Sequence, residues 1–130
     1  GYAFSILALL YPWLDFRNQF HIDHIHPKSH FTRSQLTRRG ITDPQTIADF
    51  QEKYDRIPNL QLLQGTPNIE KSNKSFAEWL DEQYPLEDER RAYKQQHYIP
   101  DVDPSLTSFG DFYENRRELM RQRLKEIVGL

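Results

Sequence analysis

Cysteine is absent from this chain. Disulfides, thiolate zinc centres and a cysteine nucleophile are therefore excluded. The lack of thiols fits a reducing compartment, and the expected location is the cytoplasm. A large charge of either sign is missing too. Seventeen Lys and Arg stand against nineteen Asp and Glu, for a net charge of -2. A strongly basic footprint for nucleic acid is thus lacking. A bound divalent metal would add positive charge where a phosphate site needs it. No apolar run is long enough to span a membrane. The opening stretch from Tyr2 to Leu14 has no basic leader and is interrupted by Pro12 and Asp15, so it reads as a buried helix. Repeats and low-complexity segments are also absent.

What remains is a chain of 130 residues. That length suggests one domain over residues 1–130, able to bury a core without covalent staples. The chain enters its apolar opening directly from Gly1, which leads us to expect a C-terminal fragment of a larger protein. Residues 2–11 are expected to be helical. Residues 18–26 read as a strand stopped by Pro27. Arg33–Arg39 reads as a short helix ended by Gly40. Asp43-Pro44 opens a further helix to about Tyr54, with Phe50 and Ile57 facing the core. Asn59–Gln64 is the second strand. Gly65-Thr66-Pro67 then turns the chain into a helix, with Thr66 as cap. Ser75 and Glu78 form a capping box before a helix to about Gln83, broken by Pro85. Glu87–Gln96 is a charged helix. Residues 100–104 form a loop. Phe109 to Val128 places Phe109, Phe112, Met120, Leu124, Ile127 and Val128 at helical spacing, with its Arg and Lys residues on the wet face. The fold class is α+β, mostly helical, with one small two-stranded element.

Two segments carry chemistry: Ile22-Asp23-His24-Ile25-His26-Pro27 and Asn59 to Asn68. Asp23 can supply a charged oxygen ligand to a hard cation such as Mg²⁺. His24, as a neutral imidazole, can take a proton from water. Strand alternation would send these neighbours to opposite faces, so one site needs the strand to end or twist there. Asn59 suits a supporting role, its amide bonding backbone groups and fixing the loop that orients His24. Asn68, near the first turn of the following helix, can offer an amide oxygen to the same cation. Lys28, Lys71 and Lys74 flank these residues and can contact neighbouring phosphates. Arg33, Arg38 and Arg39 would extend that track. His26 is a further possible metal or phosphate contact, although strand histidines are more often packed in a core. Trp13, Phe76 and Trp79 are expected in the core rather than stacked on bases. Each of these residues has an ordinary reading: an Asp-His dipeptide alone is commonly surface, and Asn59 and Asn68 could be turn and helix-start residues.

Asp23-His24-Ile25-His26-Pro27, followed by Asn59 and by Asn68 with Lys71, resembles the HNH (ββα-metal) endonuclease motif. The Asn-to-Asn spacing and the Asn-x-x-Lys-Ser ending resemble the HNH domain of RNA-guided CRISPR nucleases. Over a wider span, the phrases "DHIHPKSHF" and "NLQLLQGTPNIEKSNKSFAEWL" and the Arg-rich terminal helix resemble the C-terminal HNH domain of GmrSD-like restriction and phage-defence proteins. The likeness covers most of residues 18–80 and, more weakly, 109–128. It implies a ββα-metal core over about 18–80, with additional packed helices and a C-terminal helical part over about 86–128. It implies a DNA endonuclease in restriction or anti-phage defence, acting by one-metal phosphodiester hydrolysis. His24 would be the general base, Asp23 and Asn68 would hold Mg²⁺ or Mn²⁺, and Asn59 would orient. It also implies an upstream N-terminal nucleotide-dependent domain in the same protein. The connection from His24 to Asn59 is longer than in compact HNH hairpins. Rival readings are a nucleic-acid-binding module with a decayed site, an HNH-type ribonuclease, and a structural transition-metal site built from His21, His24, His26 and His30.

Overall fold

The computed structural model describes residues 2–15, 17–65 and 74–129. Its spine is an antiparallel pair, β1 (Phe20–His24) and β2 (Leu60–Gln64). The register sets Phe20 opposite Gln64, Ile22 opposite Leu62, Asp23 opposite Gln61 and His24 opposite Leu60. Backbone bonds continue the pairing at both ends, from Ile25 N to Asn59 O at 2.8 Å and from Gly65 N to Gln19 O at 2.8 Å.

Helices α1 (Tyr2–Leu10), α2 (Arg33–Arg38) and α3 (Pro44–Lys53) precede β2. Helices α4 (Phe76–Gln83), α5 (Glu87–Gln96) and α6 (Phe109–Val128) follow it. The local signals explain these boundaries. Asp43 accepts a bond from Thr46 N at 2.9 Å with Pro44 at the first helical position. Ser75 accepts from Glu78 N at 3.1 Å. Gly40, at φ +89°, provides the left-handed residue that ends α2. The long connection between the strands therefore has structure of its own: a 3₁₀ turn at Lys28–Phe31, then α2 and α3.

The two faces of β2 feed two apolar clusters, as side-chain alternation requires. Leu60 and Leu62 pack with Leu7 and Leu10 of α1, Tyr11, and Met120 of α6. Leu63 lies against the larger cluster, which gathers Ile25, Phe31, Phe50, Phe76, Trp79, Tyr93, Phe109 and Phe112. The sequence-based boundaries shift by a few residues at the strands. β1 stops at His24 rather than 26, and Asn59 belongs to a 3₁₀ turn (Ile57–Asn59) ahead of β2. Trp13 is half exposed instead of buried, and Ile127 and Val128 are exposed where α6 runs past the core. The helix expected to open at Thr66-Pro67 lies outside the described residues.

Candidate functional site

Asn59 is fully buried, yet it is polar, so its amide must be satisfied by the protein. Its Oδ1 accepts from His26 N at 2.9 Å. Its Nδ2 donates to His26 O at 3.0 Å and to Tyr54 O at 2.8 Å. One amide thus joins the chain leaving β1 to the chain leaving α3. The turn that carries Asn59 is braced in turn by Arg116 of α6. That buried guanidinium donates to Ile57 O, Pro58 O and Leu60 O, at 3.2, 2.9 and 2.6 Å. Its other face donates to His97 O at 3.1 and 3.0 Å. Burial lowers the Arg116 pKa from the usual arginine value.

Asp23 is partly buried on β1. Its Oδ2 accepts from Gln61 Nε2 at 2.9 Å. Gln61, itself fully buried, accepts through Oε1 from the Tyr93 hydroxyl at 2.8 Å. Burial pushes the Tyr93 phenol well above its ordinary pKa, so it stays a donor. A fixed relay therefore runs from α5 through β2 to the Asp23 carboxylate and holds it in one orientation.

His24 is the last residue of β1, and its Nε2 lies 2.7 Å from Asp55 Oδ1. The side chain is 26% exposed, and the Tyr54 ring centroid lies 6.2 Å from that of His24. β1 ends at His24, so Asp23 and His24 both still lie within the strand, opposite Gln61 and Leu60. Their immediate partners nevertheless belong to different elements, Gln61 on β2 and Asp55 after α3.

The remaining histidines diverge. His21 Nδ1 meets Gly65 O at 2.8 Å, and His30 Nε2 meets Arg39 at 3.1 Å. His26 is buried among the rings of Phe76, Phe109 and Phe112, at 4.8–5.4 Å between centroids. Because β1 has already ended, His26 does not share a strand face with His24, and its placement is that of a core residue rather than a phosphate contact. Among the described residues, no three His, Cys, Asp or Glu side chains gather as a metal cluster, which includes the four-histidine arrangement. Asn68 and Lys71 lie outside the described residues. Lys28 is exposed, and Lys74 is paired with Glu82. Arg33 and Arg38 are exposed on α2, whereas Arg39 is half-buried against Gln35 and His30.

Sequence reasoning missed three participants. Arg116 had a signal: it falls on the stripe Phe109, Phe112, Tyr113, Arg116, Met120, all buried, which is the helical core spacing. Gln61 and Asp55 had none, since only the folded chain brings them to Asp23 and His24.

Comparison with known proteins adds one finding. A family model described as GmrSD restriction endonucleases, C-terminal domain, matches residues 8–119, a span that contains both strands and Asp23, His24, Asn59 and Asn68. No curated protein sequence matches the chain.

Proposed function

Since the chain belongs to the family of GmrSD restriction endonuclease C-terminal domains, we propose that it is the nuclease part of such an enzyme and hydrolyses DNA phosphodiester bonds at Asp23, His24 and Asn68 with a divalent ion. The observation that carries this reading is the buried Asn59 amide, which holds the chain two residues beyond His24 and so fixes the Asp-His pair at a strand end.

The donor set fits a hard cation. Asp23 offers a carboxylate already oriented by Gln61, and Asn68 would add an amide oxygen. Mg²⁺ keeps several waters and needs few protein oxygens, so one carboxylate and one amide are compatible with it, and with Mn²⁺. When bound, the ion would stabilise charge on the phosphate and on the leaving oxygen. His24 takes a proton from water as the water oxygen bonds to phosphorus and the bond to the leaving oxygen breaks. Asn59 acts through the backbone and keeps the imidazole in place. Lys28 is in reach of solvent and suits a neighbouring phosphate, as Lys71 would. Lys74 would have to leave Glu82 to do so. An upstream nucleotide-dependent domain would govern access to this centre.

The test is nicking of supercoiled plasmid with Mg²⁺ or Mn²⁺. His24→Ala, checked for folding, should slow cleavage by about 10²–10⁴-fold, the range for losing a general base. Unchanged cleavage would remove His24 from the chemistry. DNA and RNA offered in competition identify the polymer, because attack by water needs no 2′-hydroxyl. Anomalous scattering from Mn²⁺ should place the ion between Asp23 and Asn68. An ion bound away from Asp23 would overturn this metal site.

A further inference from the structure

Asp55 has no place in the motif from which the site was read, yet it holds the proposed base. It lies just after α3, on the long connection between the strands, and its Oδ1 is 2.7 Å from His24 Nε2. A carboxylate can only accept, so the proton of that contact sits on the ring at Nε2. The basic lone pair is then on Nδ1, and the ring plane is fixed about the Nε2 contact. The pair is not an accident of two surface side chains. The Asn59 amide bonds His26 on both backbone atoms and also takes Tyr54 O, one residue before Asp55. A single buried group therefore sets both ends of the His24–Asp55 contact.

We propose that Asp55 is a positioning residue for His24: its carboxylate holds the Nε2–H tautomer and the ring orientation, so that Nδ1 is presented to the attacking water. The inference rests on the reading of His24 as the base. It also gives the extended connection a purpose, since α2 and α3 carry the chain out and return it at Asp55. Asp55 itself touches neither substrate nor metal in this scheme and acts through the ring.

Two measurements on the same variants test it. Asp55 is 68% exposed, so Asp55→Ala and Asp55→Asn should fold as the native chain does. In plasmid cleavage, Asp55→Ala should lower kcat by about 10–100-fold with KM changed less than about twofold. Asp55→Asn, whose amide oxygen can still accept from Nε2–H, should recover part of the loss. In the metal-free native chain, nitrogen-15 NMR at low temperature should show a proton on His24 Nε2 protected from exchange. That signal should disappear in Asp55→Ala while those of the other histidines persist. A native kcat in Asp55→Ala, or a ring carrying its proton at Nδ1 in the native chain, overturns the inference. The two readings separate cleanly: cleavage surviving His24→Ala sinks the nuclease mechanism, whereas cleavage lost in His24→Ala but intact in Asp55→Ala sinks only the role of Asp55.

Discussion

Asn59 shows how much one side chain can decide. Its three hydrogen bonds are made to backbone groups, two of them on His26. Replacing it with alanine would leave a buried N–H and two carbonyls without this partner, and each such loss costs about 1–3 kcal/mol. Asn59→Ala should therefore destabilise the fold by roughly 2–5 kcal/mol in urea denaturation, and residual folded protein should cleave poorly. A loss below about 1 kcal/mol would mean that water or a shifted backbone replaces the amide. The residue type was legible in the sequence as a support for the loop after β1. Asp55 was not, because an aspartate in a helix-to-turn segment has no local feature that marks its partner. Gln61 hid in the same way: it sits between leucines on a strand, and its burial depends on where α5 places Tyr93.

At the scale of elements, helix boundaries were the most readable part. Asp43-Pro44 and Ser75–Glu78 are local cap signals, and the structure places α3 and α4 behind them. Strand ends were less readable, since Asn59 makes a turn whose form depends on Arg116 rather than on its neighbours. The charged helix α5 ends in a group that sequence alone left unremarked. The His97 ring packs against Tyr11 and Tyr93, and its Nδ1 shares a hydrogen bond with the Tyr11 hydroxyl at 2.8 Å. Burial, reinforced by the Arg116 charge, pushes the His97 pKa down to about 3. An unfolded chain would protonate this histidine near 6.5, so between those values the unfolded state binds the extra proton. Stability from this source is complete above about pH 6.5 and falls as pH drops towards 3, by at most about 1.4 kcal/mol per unit. Urea midpoints taken from pH 7 to 4 should show that slope, and His97→Gln should flatten it. An unchanged slope in the variant would assign the acid sensitivity to other groups.

For the whole molecule, charge balance is the governing fact. Cations and anions nearly cancel, and exposed cations on α5 and α6 are paired with neighbouring carboxylates, as with Arg91 and Arg121. DNA should therefore be held by few phosphate contacts. Lys28, Arg33 and Arg38 are exposed near the start of the inserted connection. Changing all three to alanine should weaken DNA binding and reduce the slope of log affinity against log salt by up to about three, with the thermal midpoint unchanged. A slope equal to that of the native chain would place the phosphate track elsewhere. Among the described residues, no helix is long and apolar enough to cross a membrane. The arginine on α6 has a consequence for how the molecule comes into being. Its bonds to Pro58 and Leu60 close loops of 58 and 56 residues, and contacts of that separation are slow to form. During synthesis the strand bearing Asp23 and His24 emerges well before the arginine that braces its partner strand. The two strands can thus pair before their brace exists, and the turn carrying Asn59 is locked only once α6 has emerged.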